Sequence, residues 1–122
     1  MDPIALRQIT NSALERRLFT WFINQYVEYY DFLYNMISKA RDGQDTIILF
    51  LYSCEDIVIF REDGSWEIFG CYSEEEELRG TGDIVYKMRE LVENPIFREV
   101  LTEKFPSPFV ITYKETGVDV SW

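Results

Sequence analysis

Residues 46–71 read TIILFLYSCEDIVIFREDGSWEIFGC, and the fold turns on this stretch. Thr46 to Ser53 is continuously apolar and rich in β-branched side chains, the pattern of a strand buried on both faces. Two shorter apolar runs follow, Ile57 to Arg61 and Trp66 to Cys71, on either side of Glu62-Asp63-Gly64-Ser65. An Asp-Gly pair supplies the left-handed backbone that a tight turn needs, so these runs predict a hairpin. The short Ser53-Cys54-Glu55-Asp56 link makes the first two runs antiparallel neighbours as well. The expectation is a three-stranded antiparallel meander.

Upstream of it, the period changes to that of a helix. Asp2-Pro3 reads as an N-cap followed by proline at the first helical position, where its missing N–H costs nothing. Ser12 and Glu15 have the spacing of a capping box, which predicts a short helix over 3–10 and a long one over 13–41. Gly43 suits a left-handed C-terminal cap. Leu18, Phe22, Tyr26, Tyr29, Leu33 and Met36 form one apolar stripe, and Phe19, Ile23, Val27, Tyr30 and Tyr34 a second beside it. Trp21 and Phe32 project on the remaining, polar side. They read either as a satellite core or as exposed anchors on a binding face, where large aromatics dominate the energetics.

Downstream, the acidic run Glu74-Glu75-Glu76-Glu77 and the loop Arg79-Gly80-Thr81-Gly82 lead to a helix with Ile84, Val85, Met88, Leu91 and Val92 on its apolar face. Asp83 or Thr81 is its expected cap. Asn94-Pro95 interrupts and restarts that helix, which runs to about Lys104. Phe109 to Lys114 and Val118 to Trp122 then make a second hairpin around Glu115-Thr116-Gly117. The whole is a single α+β domain over residues 1–122, in the order α-β-β-β-α-β-β: a long N-terminal helix, a three-stranded antiparallel meander, a broken second helix and a C-terminal β-hairpin.

Composition narrows the function classes. With 47% apolar and 16% aromatic residues the chain has enough material for a packed interior, which excludes disorder. The longest apolar run, Ile47 to Tyr52, is far short of the roughly 20 residues a membrane helix needs. Met1-Asp2-Pro3 lacks the start of a signal peptide, so a cytoplasmic location is expected. Cys54 and Cys71 fall at one end of the meander and read as two reduced thiols, with a disulfide as the alternative.

The net charge of −10 is unevenly spread: residues 45–83 carry eleven acidic and two basic side chains, while residues 1–44 sum to zero. Such a field repels nucleic acid phosphates and attracts basic protein surfaces. Direct nucleic acid binding is therefore not expected. The absence of histidine removes the commonest general base and the usual partner of a Ser or Cys nucleophile. No zinc set, no cofactor motif and no catalytic constellation is expected. Gly80-Thr81-Gly82-Asp83 lacks the lysine of a phosphate loop and follows four glutamates.

These features predict a non-enzymatic acidic inhibitor, such as an immunity protein or a phage or viral anti-defence protein. It would occlude the basic site of a toxin or nuclease. The residues expected to carry binding are Glu55, Asp56, Glu62, Asp63, Glu67, Glu74, Glu75, Glu76 and Glu77, with Trp21 and Phe32 as the apolar centre. The element order also resembles that of the class I type III secretion chaperones, likewise small and acidic. That resemblance implies a homodimer holding an unfolded effector segment, although the family's closing third helix has no counterpart after Trp122.

Overall fold

The Asp2 carboxylate accepts from the Ile4 backbone N–H (3.1 Å), and Pro3 takes the first position of α1 (Pro3–Tyr29), so the chain starts its helix where the sequence signals it. The structure, a computed structural model, describes residues 2–52, 56–69 and 83–122. Helix α1 runs straight through the capping box expected at Ser12, because nothing between Thr10 and Ala13 breaks it. Glu15 instead accepts from the Asn94 side-chain amide (3.3 Å), which ties α1 to a later turn.

The long helix predicted over 13–41 breaks at Asp31, whose φ of 51° is left-handed. Asp tolerates that conformation better than most residues, and the preceding Tyr29-Tyr30 pair has only modest helix propensity. Asn35 donates to the Tyr30 carbonyl freed by the break (3.0 Å). The chain then resumes as α2 (Phe32–Arg41) and ends at Gly43, with φ of 80°, as expected. Trp21 and Phe32 consequently do not share a line. The break turns Phe32 into the core, where it stacks on Tyr26 with ring centroids 5.6 Å apart.

The strands are β1 (Thr46–Leu51), β2 (Ile57–Phe60), β3 (Trp66–Phe69), β4 (Ile84–Lys87), β5 (Val110–Lys114) and β6 (Gly117–Ser121). The helices α3 (Met88–Glu93) and α4 (Pro95–Lys104) lie between β4 and β5 and are separated at Asn94-Pro95, as the sequence predicts. The Asn94 side chain caps α4 by accepting from the Ile96 and Phe97 backbone N–H groups. The α+β class, the long N-terminal helix, the broken later helix and the C-terminal hairpin are all present.

Strand pairing departs from the expected meander. The described residues form two three-stranded antiparallel sheets, ordered β1-β6-β5 and β3-β2-β4. Strand β1 joins the C-terminal hairpin, and β2 takes β4 as its second neighbour. Residues 84–87, expected to open a helix, are that β4: Ile84-Val85-Tyr86 is β-branched and aromatic, and the free edge of β2 decides its conformation. Asp83 thus precedes a strand and caps no helix, and Thr81 lies outside the described residues.

Strand β1 was expected to be buried on both faces, yet Ile48 and Leu51 are exposed. A bulge explains its pattern: Ile48 pairs with Asp119 and Phe50 with Val118, leaving Leu49 as the extra residue. Leu49 and Phe50 therefore both point inward. The unpaired Leu49 carbonyl accepts from the Tyr26 hydroxyl (2.8 Å).

One buried cluster joins these pieces. Its hub is Phe22 of α1, whose ring meets Phe60 of β2 edge-on (5.3 Å), stacks towards Phe50 of β1 (6.4 Å) and faces Phe97 of α4 (6.3 Å). Full burial of one such ring stabilises by about 1.5–3 kcal/mol. On the surface, Arg16 of α1 bridges Glu99 and Glu103 of α4, both at 2.6 Å. Exposed pairs of that kind add little beside the core. Among the described residues no helix is long and apolar enough to cross a membrane.

Candidate functional site

The β2–β3 hairpin carries three acidic residues, Glu62, Asp63 and Glu67, half of those the structure describes between residues 45 and 83. Its turn closes with the Arg61 N–H donating to the Ser65 carbonyl (2.8 Å), and Gly64 adopts a φ of 89°. Asp63 accepts from the Ser65 backbone N–H (2.9 Å) and hydroxyl (2.6 Å). The Ser65 hydroxyl is the main reason that the Asp63 carboxyl is held below its ordinary pKa. Arg61 bridges outward to Glu67 and inward to the buried Asp83 (3.1 Å), whose other oxygen accepts from the Glu62 N–H (3.3 Å). These bonds fix the base of the hairpin and leave Glu62 and Asp63 exposed at its tip.

Beside this hairpin, β3 and the C-terminal end of α1 enclose an open groove of about 800 Å³. Trp66 forms its inner wall. The indole N–H donates to Gln25 Oε1 (3.2 Å), and the ring meets Phe22 edge-on at 5.0 Å, which locks it in place. Tyr29 stands over Trp66 at 6.3 Å and packs edge-on against Tyr30 at 4.9 Å. Tyr29 is 75% exposed, a large aromatic held in place by its neighbours and open to solvent. Glu28 and Glu67 stand on opposite sides, one from α1 and one from β3. Carboxylates beside aromatic faces suit an ammonium or guanidinium group, because the ring quadrupole and the acids attract the same charge.

A second, smaller hollow of about 570 Å³ lies between α2 and β1. It is mixed in charge, with Lys39 and Asp42 both on its wall.

Of the residues singled out in sequence, Glu62, Asp63 and Glu67 share the hairpin, and Glu67 also borders the groove. Asp56 sits at the far end of β2, with the whole strand, about 13 Å long, between it and the turn. Its carbonyl accepts from the Met88 N–H (2.7 Å). Trp21 is half-buried against the core, and Phe32, 6% exposed, is part of it, so Phe32 is not a surface anchor. Glu55 and Glu74 to Glu77 lie outside the described residues, as do Cys54 and Cys71.

The aromatics that border the groove beside acids, Tyr29, Tyr30 and Trp66, fall in the sequence reading on the two apolar stripes of the long helix and at the start of a strand, not among the binding residues. The Tyr29-Tyr30-Asp31 run was the available signal: aromatics followed by a residue tolerant of a left-handed turn mark a helix break. No family model, no curated protein and no solved structure matches the chain. The chaperone resemblance rests on the element order helix, three strands, helix, two strands, and the observed order adds a fourth strand, β4, before the later helices.

Proposed function

We propose that this protein is a non-enzymatic binder that acts in the cytoplasm and takes lysine or arginine side chains of a basic partner protein into the groove between α1 and β3. A toxin or nuclease fits this description, since its substrate-binding surface is basic. Occupying that surface blocks its nucleic acid. The observation that carries the reading is the meeting of solvent-exposed Tyr29 and fixed Trp66 with Glu28 and Glu67 in one groove, beside the exposed carboxylates of Glu62 and Asp63. The tip carboxylates steer the approach and favour a fast association rate. The groove aromatics supply the short-range energy, with each cation–aromatic contact contributing about 0.5–2 kcal/mol.

The test is capture of partners from source lysate at low and high salt, with the wild type beside Tyr29→Ala and Glu28→Gln/Glu67→Gln. The expected result is one basic protein, released by salt and lost with both variants, whose nuclease or toxic activity the wild type suppresses. A captured protein that binds both variants as well as the wild type overturns the groove assignment. An acidic partner held equally at high salt overturns the charge argument.

A further inference from the structure

Helix α2 is apolar on two faces, and among the described residues the core uses one of them. Phe32 is buried and Met36 half-buried on the inner face. On the outer face Leu33 is 69% exposed, Tyr34 64% and Ile37 43%. Their spacing of one and then three residues places them on one stripe of the helix surface. Scattered exposed apolar residues are ordinary, but three within two adjoining turns of a ten-residue helix form a patch that water wets poorly.

The ends of this stripe carry opposite charges. Asp31 precedes the first turn, and Arg41 closes the last. Neither takes part in an ion pair among the described residues. The ends are separated by about 15 Å of helical rise, so the stripe has a negative and a positive pole. A second α2 laid parallel puts like charges together at both ends. Laid antiparallel, it sets each Asp31 beside the other chain's Arg41 and opposes the two helix dipoles.

We infer that the outer face of α2 docks on the same face of a second copy of this chain, antiparallel, across a twofold axis between Tyr34 and Ile37. Tyr34 of each copy then packs on Ile37 of the other, and Leu33 flanks the pair. The interface is isologous, so one patch serves both partners and the assembly closes at two. A helix of three turns buries less than the roughly 1,200–2,000 Å² typical of tight complexes, so the dimer is concentration-dependent. This inference is independent of the basic-partner reading, because it is tested on the purified chain alone.

The experiment is sedimentation velocity over a wide concentration range on the wild type, Leu33→Glu, Ile37→Glu, Arg41→Glu and Asp31→Asn, with circular dichroism to confirm that each is folded. The wild type is expected to pass from monomer to dimer. Leu33→Glu and Ile37→Glu weaken that association by about tenfold or more, as expected for central contacts. Arg41→Glu weakens it less and Asp31→Asn least, and their effects shrink at high salt. A wild type that stays monomeric throughout overturns the inference. So does a dimer that survives both glutamate substitutions, since its interface then lies elsewhere, and so does assembly beyond two copies.

Discussion

The two β-hairpins turn differently, one through a left-handed glycine and the other without, and they are held in opposite ways. The β5–β6 hairpin is clasped by the rest of the protein: Tyr52 donates its N–H to the Thr116 carbonyl (2.9 Å) and its hydroxyl to the Lys114 carbonyl (2.7 Å). Arg89 reaches the Glu115 carbonyl (3.2 Å), and β1 pairs along the whole of β6. The β2–β3 turn is closed by its own residues, through Asp63 and Ser65, and anchored at its base by Asp83. Carboxylates cluster where the fold makes few demands on the side chain. A surface free of packing duties can concentrate one sign of charge for a partner.

The two glycines give the sharpest test of this contrast. A Cβ at Gly117 meets the Phe50 carbonyl oxygen at 2.2 Å, and the next atoms are also β1 backbone, of Phe50 and Leu51, with no flexible side chain to yield. Gly117→Ala is expected to cost about 3 kcal/mol or more and to separate β1 from β6, measured by denaturant unfolding. If its midpoint matches the wild type, the clasp does not exist. Next comes Tyr52→Phe, which leaves the Lys114 carbonyl without its donor; about 1–2 kcal/mol is expected from the same unfolding curves. Gly64→Ala meets nothing within 4 Å, so only its left-handed φ of 89° is at stake, at about 1 kcal/mol. Smallest is Asp63→Ala, whose midpoint should lie closest to the wild type while any charge-steered association slows.

The same contrast has a pH signature. Burial raises the pKa of Tyr52 and Tyr113 beside the second hairpin, and of Tyr26 and Tyr86 in the core. These phenols ionise more readily once unfolded, so the stability they contribute is complete below their ordinary value near 10 and falls as pH rises above it. The lowered carboxyl of Asp63 acts in the opposite sense. Its contribution is present above the ordinary value of 3.8 and is lost as pH falls through the depressed one. Alkaline unfolding followed by tyrosine absorbance should therefore show these tyrosines ionising together with loss of structure. Acid should loosen the β2–β3 turn only as pH falls below 3.8 and through the depressed Asp63 value.

What was legible in the sequence were features fixed within a few residues. Asp2-Pro3 starts α1, Asn94-Pro95 splits the later helix, Gly43 ends α2, and both hairpin turns fall where Gly64 and Gly117 place them. What was not legible were choices between distant segments. Ile84 to Lys87 fits a helix face as well as a strand, and only the vacant edge of β2 decides between them. Strand β1 prefers β6, some seventy positions later, to its sequence neighbour. The groove escaped for the same reason: it needs residues 25–30 and 65–69 side by side, and that adjacency follows from Phe22 seating α1 against Trp66 and Phe60.

The Tyr26 hydroxyl on the Leu49 carbonyl has a consequence beyond its own bond. Strand β1 is the outer member of its sheet among the described residues, and an outer strand is a template on which unrelated chains can stack. At Leu49 that template is bent by the bulge, and one of its acceptors is already occupied. Beside exposed Ile48 and Leu51, the bend and the occupied acceptor both work against fibrous, open-ended growth.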